Sequence, residues 1–170
     1  MAPATRQTRQ TRQTRRSLRL DDYLPYRLSV AANAVSRLVA RAYESRFGLT
    51  VPQWRLMAVL GETAPLTPQN LCGRTVMDKV TVMRAARVLL QRKLVRRLPN
   101  AQDGRSHRLV LTAAGRRMYA QIAPLALAHE ARLIRGLARK EVAQLERCLR
   151  RLQGAASGLT DRAERRDRLD

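Results

Sequence analysis

Two helix starts only eleven residues apart, followed at once by two short strand patterns, leave the middle of this chain few ways to fold. Thr67-Pro68 pairs a hydroxyl N-cap with a proline where a helix needs no N–H. Asp78 supplies a second cap, so the first helix must end near Arg74 or Thr75, and the Thr75–Asp78 connection is a tight turn. The second helix is predicted from Lys79 to about Lys93, with Val82, Ala86, Leu89 and Leu90 on its buried face. Leu94–Leu98 and Arg108–Thr112 then read as short strands, closed off by Pro99 and joined through the turn residues Asn100, Asp103 and Gly104. A short bracing helix, a tight turn, a second helix and a hairpin make a unit suited to reading duplex DNA.

The flanks are helical. Ala31, Val35, Leu38 and Ala42, widened by Val39 and Tyr43, form one stripe of a helix spanning Asp21 to Phe47. Asp21 or Asp22 caps its start, Leu24-Pro25 makes the entry turn, and Gly48 ends it. Thr50-Val51-Pro52-Gln53 is a capping box with proline in its first turn, opening a helix that carries Trp54, Met57, Ala58 and Leu60. Trp54 reads as a core anchor. Pro65 breaks the chain before Thr67. Beyond Thr112, Met118, Ile122 and Leu125 begin a long helix that Pro124 bends, and Leu133 and Leu137 continue its apolar side. Val142, Leu145, Leu149 and Leu152 mark a last helix, which Gly154 and Gly158 loosen into a frayed charged tail over 159–170.

Charge selects the partner. At 170 residues the chain has the length of one domain, and its 34 Lys and Arg against 13 acids give a net charge of +21, which calls for a polyanion. From Arg84 to Arg117 there are ten Lys or Arg and one acid, Asp103. The exposed face of the second helix presents Lys79, Thr81, Arg84 and Arg87, with Val80 near its start. Arg suits guanine O6 and N7, and Thr suits a phosphate or a thymine methyl. In the turn, Arg105 is placed to enter a narrow minor groove, and Arg108 adds to the basic face. Residues 1–20 form a basic arm with a triplet repeat, Thr5-Arg6-Gln7, Thr8-Arg9-Gln10, Thr11-Arg12-Gln13, with nothing apolar to bury before Leu18. Such an arm either contacts the DNA backbone or is a solvated tail.

No stretch approaches the roughly 18 apolar residues of a spanning helix, which argues against a membrane partner. Cys72 and Cys148 give no disulfide framework and fit a reducing cytoplasm.

Residues 78–84, Asp78-Lys79-Val80-Thr81-Val82-Met83-Arg84, and Lys93-Leu94-Val95-Arg96-Arg97 resemble the MarR family of winged-helix transcription regulators. The sharpest likeness is Asp103-Gly104-Arg105-Ser106 followed by Leu109-Val110-Leu111-Thr112-Ala113-Ala114-Gly115-Arg116. The resemblance implies a mainly α fold with a small β-hairpin wing: a winged helix-turn-helix core (about 50–112) within a domain of about 21–158. It implies that the long helices, about 21–47 and 113–155, intertwine in a homodimer. It further implies a repressor or activator that binds a pseudo-palindromic operator in double-stranded DNA and is released by a small aromatic or phenolic acid. Thr81 and Arg84 match groove-facing positions of the family, Arg105 its wing-tip arginine, and Asp103 the acid that steadies that arginine by an ion pair. Two residues depart from the pattern: Gly104 stands where a second wing arginine is common, and Lys93 where glycine often ends the recognition helix.

For an aromatic carboxylate, Tyr26, Arg27, Asn33, Trp54 and Arg55 offer rings to stack on and cations to pair with, although each also suits packing or solvation. No catalytic, cofactor or metal motif is visible: there is no Gly-rich phosphate loop or His-rich cluster, His107 belongs to the hairpin, and His129 lies on a helix beside Glu130. Cys72 reads as a small core residue rather than a redox sensor, and Cys148 as interface or core. The competing reading is an architectural protein that coats nucleic acid through charge alone, indifferent to sequence. Either protein would sit in the cytoplasm, the regulator on the bacterial nucleoid.

Overall fold

The computed structural model describes residues 18–101, 103 and 106–167. After a 3₁₀ turn at Leu20–Asp22 come α1 (Leu24–Phe47), α2 (Val51–Glu62), α3 (Pro68–Thr75) and α4 (Lys79–Gln91). The hairpin β1 (Val95–Pro99) and β2 (His107–Leu111) follows, then α5 (Ala113–Leu133) and α6 (Arg139–Arg166). The chain divides into two compact units within α1, Met1–Arg37 and Leu38–Asp170. In the first unit, every described residue but Ser36 is exposed, including Tyr26, Leu28, Val30 and Val35.

The second unit holds the core. Leu56, Met57 and Leu60 of α2, Leu71 of α3, and Val82, Ala85, Ala86 and Leu89 of α4 are buried together with Leu94, Val95, Leu109 and Leu111. Ala40, Tyr43 and Phe47 close it from the last turns of α1, and Ile122 from α5. Alternation along β2 puts Leu109 and Leu111 inward, as its period of two requires. The strands pair antiparallel with Val95 opposite Leu111 and Pro99 opposite His107, one residue along from the boundaries that the apolar pattern suggests. Leu66 joins β2 through reciprocal bonds with Leu109, of 3.2 and 2.7 Å. The Ala64–Pro65 peptide just before it is cis.

The helix starts follow their caps. The Thr50 amide donates to Gln53 Oε1 at 3.0 Å, completing the capping box, and Thr67 Oγ1 accepts from the Asn70 amide at 3.2 Å. Thr112 Oγ1 accepts from the Gly115 amide at 3.0 Å while donating to the Lys93 carbonyl at 2.8 Å. Gly115 permits the close approach that follows, because a Cβ there would run into the Leu94 carbonyl. Gly48 ends α1 with φ +59.

The Ala31–Val35–Leu38 stripe of α1 is exposed, while Ala40, Tyr43 and Phe47 are buried in the core. Two expectations are corrected. α1 begins at Leu24, so Pro25 sits inside its first turn rather than in an entry turn. α6 continues through Gly154 and Gly158 to Arg166, because each glycine costs only about 1 kcal/mol and the surrounding Ala, Leu, Arg and Gln favour helix. Leu145, Leu149, Leu152 and Leu159 stand exposed along α6.

Among the described residues, two other than glycine adopt left-handed backbone: Val76 (φ 53, ψ 42) after α3, and Lys93 (φ 56) after α4. Lys93 thus takes the conformation that glycine favours at a helix end. For a β-branched residue such as Val76 this geometry costs on the order of 1–3 kcal/mol.

Candidate nucleic-acid interface

The start of α4 is fixed by Asp78. Its Oδ1 accepts from the Thr81 amide at 2.8 Å and its Oδ2 from the Thr81 hydroxyl at 2.7 Å. These bonds, the hydroxyl's first and the amide's second, hold the Asp78 carboxyl below its ordinary pKa. They also commit the Thr81 hydroxyl to the cap, and Thr81 is half-buried. The side chains that α4 turns to solvent are Lys79, Val80, Met83, Arg84, Arg87 and Gln91. Among the described residues, Lys79, Arg84, Arg87, Arg96 and Arg97 form no ion pair. The cations sit against the hairpin: Arg84, Arg87, Arg97 and His107 ring a cavity of about 410 Å³ floored by Leu90 and Leu109. Arg87 and Arg97, with Lys93 and Arg96, also line a shallower hollow of about 630 Å³ behind α4. Such a concentration of unpaired positive charge on one helix and one hairpin suits phosphate oxygens along a groove.

The remaining candidates divide. Arg108 is half-buried, and its Nε is buried without a hydrogen-bond partner among the described residues. Asp103 is exposed, and its carbonyl accepts from the Ser106 amide (3.0 Å) and hydroxyl (3.2 Å) in the turn. Asn100 Nδ2 donates to Ser106 Oγ at 2.6 Å across the same turn. Arg105, its pairing with Asp103, Gly104, and residues 1–17 of the arm lie outside the described residues. Two cations in the basic run have structural posts: Arg116 donates to the Leu111 carbonyl (2.9 Å), and Arg92 donates to the Gly48 (2.7 Å) and Phe47 (2.8 Å) carbonyls. Arg92 thereby fastens the end of α4 to the end of α1. Sequence patterns give no sign of it, because its partners are backbone atoms 44 and 45 residues away. Arg96 and Arg97 lie on β1, as the strand pattern suggests, and it is the cavity lining that brings Arg97 together with Arg84 and Arg87 of α4.

For the proposed ligand residues, Tyr26, Arg27 and Asn33 are exposed in the first unit. Trp54 is half-buried in the second, 5.7 Å from the Tyr43 ring and 5.8 Å from that of Tyr119, the latter stacked. Burial pushes the Tyr43 hydroxyl above its ordinary pKa, the Glu44 carboxylate adds to the rise, and exposed Arg55 opposes it. Cys72 is half-buried against the core, whereas Cys148 is exposed. His107 and His129 are half-buried, and among the described residues no three His, Cys, Asp or Glu side chains gather as a metal site would require. None of the described helices is long and apolar enough to cross a membrane.

The sequence profile of the MarR family matches residues 47–106, from the end of α1 into the hairpin turn. A probable transcriptional regulator from Pseudomonas aeruginosa is 30% identical, covering 79% of this chain and 99% of its own with a TM-score of 0.70. A MarR/EmrR family regulator from Acinetobacter sp. ADP1 has the same fold at 23% identity (TM-score 0.76, covering 82% of this chain and 99% of its own). So does MepR of S. aureus, solved as a DNA complex, at 21% identity (TM-score 0.71, covering 78% of this chain and 98% of its own). Comparison with curated protein sequences gives no significant match. With the fold and the likeness to the Pseudomonas regulator together, the chain belongs to the MarR family of DNA-binding transcriptional regulators.

Proposed function

We propose that this regulator binds a pseudo-palindromic operator as a homodimer, each subunit laying α4 in the major groove and its hairpin along the adjacent minor groove. The observation that carries this is the unpaired cation set Lys79, Arg84 and Arg87 on a helix whose start is locked by Asp78. In this reading Arg84 contacts base edges, while Arg87, Arg105 and Arg108 hold phosphates or the minor groove, and Asp103 steadies Arg105. Thr81 serves through its bond to Asp78, with its methyl near the groove. The structure of MepR with DNA supports this use of the fold.

Dimerisation is supported by apolar surface that one copy leaves open: Leu127 and Leu133 on α5, and Leu145, Leu149 and Leu152 on α6. The frame would set two reading heads about one helical turn, roughly 34–36 Å, apart. The effector in this reading is a small aromatic or phenolic acid that shifts the dimer between DNA-competent and released states. PcaV of Streptomyces coelicolor, which shares the fold, is solved with its natural ligand. Trp54 and Arg55, beside Tyr43, are the ligand contacts we favour in the second unit, and Tyr26, Arg27 and Asn33 those in the first. Such a protein carries no catalytic step and works in the cytoplasm.

Selection of bound duplexes from a random library, followed by footprinting, tests the reading. An inverted repeat with half-sites one turn apart is the expected result. The charge of +21 also suits sequence-indifferent coating of nucleic acid, and a library that returns no consensus establishes that reading instead. Aromatic acids that neither raise the melting temperature nor weaken operator binding would remove the effector from the account.

A further inference from the structure

Val76 is 84% exposed while held in left-handed backbone, the conformation least suited to a β-branched side chain. The left-handed turn ends α3, the Val76 amide donating to the Cys72 carbonyl, but any residue but proline could supply that bond, and the exposed isopropyl group buries little in return. Glycine would relieve the strain at once. Val80, on the first turn of α4, is 65% exposed, and Met83 is 39% exposed. These apolar groups stand among Lys79, Arg84 and Arg87, on the surface that faces DNA in the function proposed above. The neighbouring Thr81 hydroxyl is spent on Asp78, so the start of α4 offers few uncommitted polar groups for base edges. The apolar feature of the major groove is the C5 methyl of thymine.

We propose that Val76 and Val80 are specificity-determining residues that read thymine methyl groups in each half-site, leaving Arg84 to read guanine further along the helix. The inference rests on α4 being the groove helix. Strain at Val76 is then retained because the strained conformation aims its methyls outward, at the turn between α3 and α4.

The test uses the full-length chain and duplexes enriched from a random library. Each thymine of the enriched site is replaced in turn by deoxyuridine, which removes the C5 methyl and nothing else. One or two positions per half-site should lose about fourfold in affinity per methyl removed. At each such position the loss should disappear in one of the two variants, Val80→Ser or Val76→Gly, and persist in the other. Val76→Gly should also unfold at higher denaturant, since it relieves the strain. A site insensitive to deoxyuridine at every position overturns the inference while leaving sequence reading intact. Full methyl sensitivity retained in both variants overturns it as well. A more stable Val76→Gly protein with unaltered methyl sensitivity removes Val76 from the reading set. If the library yields no consensus, the underlying function fails and this inference with it.

Discussion

Replacing Gly115 with alanine sets helix propensity against one close contact. Judged by propensity, alanine near the start of α5 should stabilise, by up to about 1 kcal/mol relative to glycine. The structure opposes this. An alanine Cβ would overlap the Leu94 carbonyl oxygen, with the carbonyl carbon at 3.0 Å and Leu111 Cδ2 at 3.4 Å. Both obstacles belong to the tight corner of β1 and β2 rather than to a flexible surface side chain. Restoring an ordinary C···O separation of about 3.3 Å means moving the start of α5 from β1 by roughly 1 Å. That movement stretches the bonds from the Thr112 amide to Leu94 (3.0 Å) and from the Thr112 hydroxyl to Lys93 (2.8 Å), each worth about 1 kcal/mol. It also loosens the packing of buried Leu94 and Leu111, where overpacking typically costs about 1–3 kcal/mol. After the propensity gain is subtracted, Gly115→Ala should destabilise by about 2–4 kcal/mol. Urea unfolding at fixed protein concentration should show a lower midpoint with an unchanged slope. Gly73→Ala is the control: it lies on α3 with nothing within 4 Å of its added methyl and should gain about 0.5–1 kcal/mol. A Gly115→Ala midpoint at or above wild type would refute the reasoning.

Other perturbations separate stability from recognition. The lowered pKa of Asp78 means that its contribution is complete above the ordinary carboxylate range and is lost as pH falls through the lowered folded value. The stability gap between wild type and Asp78→Ala should therefore close on acidification, and a gap independent of pH would contradict the cap. Arg92→Ala should cost about 1–2 kcal/mol for its two partly solvated bonds, with Arg92→Lys intermediate because an ammonium cannot span both carbonyls as a fork does. Denaturant midpoints for the two variants decide it. Leu149→Glu, on the exposed stripe of α6, should yield monomers by sedimentation and weaken binding to an inverted repeat more than to a single half-site. Deleting residues 1–17 should flatten the salt dependence of DNA affinity without altering the selected consensus.

Local chemistry made much of the fold legible. Thr50, Thr67 and Asp78 announce their helices because a cap is satisfied within three residues, and Leu109 and Leu111 reveal their face through a period of two. Lys93 was conspicuous as a residue standing in a glycine position, and its φ of 56 gives the reason. What escaped depends on distance. The Arg92 clamp joins residues 44 and 45 apart, and the need for Gly115 comes from Leu94 on another element. Periodicity located the apolar side of α6 but not what covers it, since pattern alone does not distinguish the chain's own core from a partner. At the interface, Arg84 and Arg87 were readable as exposed cations. Thr81 was readable only as a polar groove residue, because its bond to Asp78 is a matter of side-chain geometry.

The reciprocal bonding of Leu66 to Leu109 has a consequence for solubility. A two-stranded hairpin exposes two rows of backbone donors and acceptors, and either row can template addition of another chain. Leu66 occupies part of the row along β2. The row along β1 is guarded differently: Arg96 and Arg97 set like charges along it, and Pro99 removes an amide at its end. Two hairpins meeting there would bring four guanidinium groups together. Arg96 and Arg97, part of the basic surface that suits DNA, would then also keep the hairpin from aggregating edge to edge whenever no DNA is bound.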